Sequence, residues 1–382
     1  SEIVGLAPGD DTNAMVECLN ALGVPVSIST ADGVPVAVVV GTAGALPTGP
    51  IALNTRLAGT TSRFVSAVAA LGPGPYLVDG DPPLRARPMG PLHDSLHALG
   101  ARLEPADEWG HLPVTISGPV GGADAIVMPG DVSSQYVTAL MLIAPLIRDG
   151  LSLGLSTDLV SRPYVEITKA VMESFGATDV HIAHRHVTVA ESGYSSTRYA
   201  VEPDASSASY PLAAAAIVGG AVSVKGLGHT SLQGDAAFCS VLEQMGCIVT
   251  DGPTDTVVKR RRDSPLHGID NDMAHISDLV PTHADVATQA TTPTRITGEG
   301  FNREKESDRL GDLATELNTL GADAPVDPDG ITITPTDRLH GARPDTHHAH
   351  RQAMSFGILG LVVDGYEIAD PAVVSKSWPD YW

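Results

Sequence analysis

Lysine is the scarcest charged residue in this chain: five Lys stand beside 18 Arg, 31 Asp and 14 Glu in 382 residues. The shortage of positive charge leaves a formal net charge of −22 and a sequence pI near 4.8. That excludes nucleic acid as a partner, because binding a phosphate backbone requires a basic surface. Cysteine is nearly absent as well. Cys18, Cys239 and Cys247 are too few and too widely spaced for a disulfide framework or a zinc motif, and they point to a reducing, cytoplasmic setting. The longest apolar run, residues 139–147, falls far short of the ~20 residues that a bilayer span needs, so no membrane partner is expected. A basic segment followed by an apolar one is missing from the start, which leaves secretion without support. What is present is globular. Hydrophobic residues make up 43% and mean hydropathy is +0.08, with length for two or three domains. An aspartate-rich, lysine-poor surface suggests a halophile, whose high-salt cytoplasm screens so many like charges.

The chain repeats itself. An amphipathic helix, a glycine, a strand, a turn and a second strand recur, with Gly23, Gly100, Gly176, Gly246 and Gly321 separated by roughly 75 residues. Each glycine stands where a left-handed C-cap ends a helix. Before them, apolar residues fall at helical spacing, as in Met15, Cys18, Leu19 and Leu22 or Leu310, Leu313, Leu317 and Leu320. After them come alternating or apolar stretches of hairpin type, such as residues 24–29 with 34–40 and 101–104 with 112–116. A period of this length is too long for a solenoid and fits a βαβαββ unit. The predicted fold class is α/β, in two domains. A break near residues 199–204 divides residues 1–201, with three hairpins, from residues 202–382, with two. The count leaves the first repeat and the second domain incomplete, the chain closing on a helix near residues 354–361 and a strand at 366–368.

Several non-repeating stretches stand at expected helix starts. Ala58-Gly59-Thr60-Thr61-Ser62-Arg63 precedes an apolar helix, where free backbone N–H groups and the helix dipole favour an anion. Asp131-Val132-Ser133-Ser134-Gln135-Tyr136 and Ser161-Arg162-Pro163-Tyr164 read alternatively as phosphate sites or plain caps. Lys305-Glu306-Ser307-Asp308-Arg309 concentrates charge at the start of the helix near residues 310–320 and contains one of the five lysines; a solvated face is the plainer reading. Arg351 opens another helix, and Lys376 lies close to the end. His347, His348 and His350 lack the spacing of a helical zinc pair, so no metal is expected.

Taken in order, residues 58–63, Arg87-Pro88, Ser133-Ser134-Gln135, Ser161 to Tyr164, Asp204-Ala205-Ser206-Ser207-Ala208-Ser209-Tyr210, Asp278, Lys305 to Arg309, residues 350–356 and residues 375–381 resemble 5-enolpyruvylshikimate-3-phosphate synthase. The resemblance runs from one end of the chain to the other. It implies two domains of βαβαββ units with the active site in the cleft between them, acting as a monomer without a cofactor. The implied reaction transfers the enolpyruvyl group of phosphoenolpyruvate to the 5-hydroxyl of shikimate 3-phosphate and releases phosphate. By the same resemblance, Arg87, Arg309, Arg351 and Lys376, with the backbone of Gly59, hold phosphoenolpyruvate, and Gln135 bridges both substrates. Ser133, Ser134, Ser161 and Tyr164 hold the shikimate phosphate. Asp278 accepts the hydroxyl proton, Lys305 orients it, and Glu306 serves C3 of phosphoenolpyruvate as acid and then base. Glyphosate is the implied inhibitor at the phosphoenolpyruvate site.

The chain departs from the family pattern at Leu57, Phe301, Glu304 and Ala349, the last expected to leave His350 less well oriented. Residues 1–11 match a stretch that members reach only after a Lys-bearing opening segment, so the reading is of an N-terminally truncated chain. Two alternatives remain. One is UDP-N-acetylglucosamine enolpyruvyl transferase, which has the same fold but typically carries a reactive cysteine on a mobile loop. The other is a binding protein on this fold that has lost catalysis. Retention of Asp278, Glu306 and Lys376 speaks against the second, because an idle site need not keep buried charge.

Overall fold

All five repeat glycines adopt positive φ, from 75° at Gly23 to 106° at Gly246, a region where a side chain is strained. Each ends a helix: Asp10–Ala21, Gly90–Ala98, Arg162–Ser174, Phe238–Gln244 and Arg309–Thr319. Each then opens an antiparallel hairpin, as the periodicity predicts; after Gly23 the pair is Val26–Ala31 with Val34–Val39. The computed structural model describes residues 1–122, 125–300 and 308–382. It divides into two units, Ser1–Val201 and Glu202–Trp382, each with its own apolar core.

The three sheets of the first unit share one plan. An outer strand runs parallel to a central strand, whose other edge takes the hairpin. Ile51–Asn54, Tyr76–Asp79, Val114–Ser117 and Arg102–Pro105 form one sheet in that order, and Ile126–Met128, Leu151–Leu155, His186–Val189 and Val180–Ile182 another. In the first sheet the hairpin lies beside Glu2–Val4, and the outer place is taken by Arg198–Ala200 from the far end of the unit, Glu2 opposite Arg198 and Val4 opposite Ala200. Here long-range pairing fills the outer strand position, with no crossover helix between that strand and Glu2–Val4.

A parallel pair requires a crossover. Gly59–Ala69 joins the outer and central strands of one sheet, and Ser134–Ile143 those of another; both helices are buried along most of their length. Their N-termini therefore lie just beyond the C-terminal ends of outer strands, where α/β folds gather ligands. Thr138 and Thr168 hydroxyls, 2.9 Å apart, tie Ser134–Ile143 to Arg162–Ser174.

In the second unit, Gly220–Lys225, Asp255–Arg260 and Ile248–Asp251 form an antiparallel sheet. Asp270–Asp272, Thr294–Thr297 and Ile331–Ile333 form another, extended toward residues 323–326 by isolated bridges. Val280–Ala287 is the crossover of the parallel pair and packs with Ala205–Val218 and His350–Leu359 in the core. The strand expected at residues 366–368 is not a strand. That segment makes two separate backbone bonds, Glu367 N to Ala342 O and Ala369 N to Pro344 O, and joins no sheet. Among the described residues no helix is long and apolar enough to cross a membrane.

Candidate active site

In the first unit Gly59 is the first residue of its helix, and its missing side chain has a spatial reason. A Cβ there would stand 2.5 Å from Arg87 Nη1 and 2.9 Å from Arg63 Nη1. The Arg87 guanidinium thus lies against the backbone of the helix N-terminus, where both cation and dipole favour an anion. Arg63 is buried and occupied within the protein, donating to Gly59 O at 3.0 Å, to Ser62 Oγ at 3.1 Å and to Pro88 O at 3.4 Å. Its place in the motif is therefore support for Gly59 and for the turn that carries Arg87. Tyr136 donates to the same Pro88 carbonyl.

Gln135, in the first turn of Ser134–Ile143, donates from Nε2 to Thr60 Oγ1 at 3.1 Å, joining the two inner helices at their N-termini. Its buried Oε1 has no hydrogen-bond partner among the described residues. Ser133 is the N-cap and accepts from Gln135 N at 3.3 Å. Ser161 caps the neighbouring helix in a left-handed conformation, and Tyr164 lies half-exposed one turn on. The two capping loops are bonded to each other: Thr157 Oγ1 accepts from Gly130 N at 2.8 Å, and Val160 N donates to Gly130 O at 3.1 Å. Ser133, Ser134 and Ser161 accordingly sit on adjoining loops. Arg162, beside them, is paired with Glu166 and with the carbonyl of Ile182 and is structural.

In the second unit Asp278 lies in the short turn Ser277–Leu279 before Val280–Ala287. Each of its oxygens meets an arginine: Arg309 Nη1 at 2.8 Å from Oδ1 and Arg351 Nη2 at 2.9 Å from Oδ2. The three side chains are only 20–22% exposed, so the pairing is poorly screened. Arg309 and Arg351 each stand in the first turn of a helix, and with Lys376, His350 and Gln352 they line a small cleft. Burial holds the His350 imidazole well below its usual pKa, reinforced by repulsion from Arg351, Lys376 and Arg309 and opposed by Asp278. It stays neutral beside three cations. Ser377 Oγ, 2.6 Å from Nδ1, orients it, a role that the motif had suggested Ala349 leaves unfilled.

The other histidines of the cluster go elsewhere. His347 is 2.8 Å from Glu316, and His348 is exposed. Two expected site residues, Lys305 and Glu306, lie outside the described residues. Sequence reasoning missed the Ser377–His350 contact and the Thr60–Gln135 bond.

The family model for EPSP synthase (3-phosphoshikimate 1-carboxyvinyltransferase) matches residues 1–382. Among relatives, the 3-phosphoshikimate 1-carboxyvinyltransferase of Methanoculleus marisnigri is 40% identical over 375 residues, covering 97% of this chain and 87% of the relative. That of Nostoc punctiforme is 37% identical over 374 residues, covering 98% and 87%. Among solved structures, EPSP synthase from Acinetobacter baumannii superposes with a TM-score of 0.81 at 25% identity, covering 100% of this chain and 88% of that one.

Proposed function

The chain belongs to the EPSP synthase family, and from that premise we propose that it transfers the enolpyruvyl group of phosphoenolpyruvate to the 5-hydroxyl of shikimate 3-phosphate, a step in aromatic amino-acid biosynthesis. One observation carries the reading: a carboxylate clasped by two arginines in a cleft that also holds a lysine. Two multiply anionic substrates need converging cations, and the attacking hydroxyl needs a base.

In this mechanism the phosphate and carboxylate of phosphoenolpyruvate take Arg309, Arg351 and Lys376, and the family resemblance adds Arg87 and the Gly59 backbone as ligand groups. Arriving anion displaces Asp278 from its arginines, which frees that carboxylate to accept the proton of the 5-hydroxyl as its oxygen bonds to C2. C3 is protonated, and the tetrahedral adduct then loses phosphate and a methyl proton. Glu306 serves those C3 transfers and Lys305 orients the hydroxyl. Ser133, Ser134, Ser161 and Tyr164 hold the shikimate phosphate, and the free Oε1 of Gln135 accepts from substrate hydroxyl. The enzyme needs no cofactor or metal and acts as a monomer. Its three cysteines, all buried and unpaired, support a cytoplasmic setting, and none is available as the reactive cysteine of a UDP-N-acetylglucosamine enolpyruvyl transferase. The test is phosphate release from phosphoenolpyruvate with shikimate 3-phosphate or UDP-N-acetylglucosamine as acceptor. Turnover with the second alone, or with neither, overturns the proposal.

Glyphosate competes with phosphoenolpyruvate for the same cations. Gly59→Ala forces the Arg87 guanidinium away from the helix N-terminus, since Arg63 beside it is fixed by three bonds. The inhibition constant for glyphosate rises by about 10-fold or more, and the KM for phosphoenolpyruvate by less, because misplacing one group by about 1 Å is costly in a converging site. Equal inhibition of both proteins removes Gly59 from the site.

The halophilic reading has its own measurement. At a net charge of −22 the folded chain repels itself, and salt relieves the repulsion. Its Tm therefore rises from dilute buffer to molar KCl; a flat or falling Tm contradicts the reading.

A further inference from the structure

Glu316 belongs to no motif that pointed to the site, yet it stands on the helix that presents Arg309. It follows Arg309 by about two turns and so shares its face of Arg309–Thr319. Asp312 lies on that face as well, one turn before Glu316. Two carboxylates at that spacing repel each other, and a cation between them relieves the repulsion. His347 takes that place: its Nε2 is 2.8 Å from Glu316 Oε1 and its Nδ1 is 3.7 Å from Asp312 Oδ1. Glu316 is only 7% exposed, so its charge is poorly screened. Its other oxygen accepts from Asp345 N at 3.0 Å, and His347 N in turn donates to Asp345 Oδ1 at 2.7 Å.

The turn tied down in this way leads directly into His350–Leu359, the helix that presents Arg351. His347 and His348 both hold left-handed backbone, with φ of 48° and 56°. Such a conformation is strained in a residue with a side chain and persists where its surroundings impose it. Ala349 N closes the turn on Thr346 O at 2.7 Å, and Ala349, His350 and Arg351 then line the cleft. The helices that bear the two arginines are therefore joined twice, at their first turns through Asp278 and further along through Glu316 and His347. An anion that displaces Asp278 breaks the first join and leaves the second.

We propose that Glu316 and His347 are positioning residues whose ion pair keeps Arg309 and Arg351 in register while an anion replaces Asp278 between them. The inference rests on the reading of the arginine cleft as the anion site. Three carboxylates face His347: Glu316 and Asp312 from the helix and Asp345 from its own turn. His348 turns instead to Asp370, 3.9 Å away. Burial lowers the His347 pKa, but the Glu316 hydrogen bond and the surrounding negative charge outweigh it and raise the pKa above its ordinary value. The ion pair is therefore complete below the ordinary histidine value of about 6.5 and fades as pH rises through the raised one.

Steady-state kinetics on the whole chain test this. His347→Asn tolerates the left-handed backbone but is too short to reach Glu316. It raises the KM for phosphoenolpyruvate by about 10-fold and leaves kcat and the KM for shikimate 3-phosphate within about 3-fold, the mark of weakened binding of one ligand. Glu316→Gln keeps the shape and removes the charge. Its KM for phosphoenolpyruvate exceeds that of wild type by about 3-fold or more at about pH 6, and the excess closes as pH rises through the His347 value, where wild type loses the same charge. By NMR, His347 titrates at lower pH in Glu316→Gln than in wild type. The double variant is no worse than His347→Asn alone, because the two side chains act as one pair. Where His347→Asn does not fold, Glu316→Gln decides by its pH profile. A KM within about 2-fold of wild type in these variants, or an excess in Glu316→Gln that is the same at every pH, overturns this inference alone, provided that Arg351→Ala raises the KM. A wild-type KM in Arg351→Ala, or a wild-type protein without turnover, overturns it together with the anion-site reading.

Discussion

Replacing Asp278 with asparagine is expected to lower kcat by about 10²- to 10⁴-fold, the range typical for loss of a general base, and at the same time to tighten phosphoenolpyruvate. The two effects have one cause. Each Asp278 oxygen holds an arginine, at 2.8 and 2.9 Å, and an arriving anion must break both pairs. Asparagine keeps the size of the side chain and removes its charge, so Arg309 and Arg351 meet the ligand without a rival. The amide has no basic oxygen for the hydroxyl proton, so chemistry fails after binding has improved. Direct binding of phosphoenolpyruvate and steady-state kinetics separate the two. Wild-type kcat would discard Asp278 as the base, and weaker binding would discard the exchange of partners.

What could be read in advance follows from what is local. The five repeat glycines and their hairpins were legible because a helix cap and a two-residue alternation are short-range properties. The candidate site residues Gly59 and Arg63 were singled out because they stand in one unbroken run at a helix start, which is a local signal. The rest depends on contacts between distant segments. Nothing in residues 1–40 signals that Arg198–Ala200 completes their sheet. Residues 366–368 alternate like a strand, but their neighbours at 342–344 offer only two bonds. Arg63 looks like a site residue in sequence; its burial and its bonds to Gly59 O, Ser62 Oγ and Pro88 O make it a prop for the helix start.

Arg351→Ala should raise the KM for phosphoenolpyruvate by about 10²-fold or more, since truncating one partner of a buried, charge-assisted hydrogen bond costs about 2–5 kcal/mol. The affinity for shikimate 3-phosphate, assigned to Ser133, Ser134, Ser161 and Tyr164, should change little. The helix itself survives the substitution, because His350–Leu359 is held by Ala353, Met354, Phe356, Ile358 and Leu359, all fully or nearly fully buried. Arg351→Lys should recover only part of the loss: one ammonium supplies a point charge where the guanidinium offers a planar fork. A second readout is independent of turnover. Arg351 is one of the cations that hold the His350 imidazole below its usual pKa, so its removal lets His350 titrate at higher pH, observable by NMR on the free protein. A KM within about 3-fold of wild type would remove Arg351 from the anion site. An unmoved His350 would show that its neutrality rests on burial, with Lys376 and Arg309 sufficient for the remainder.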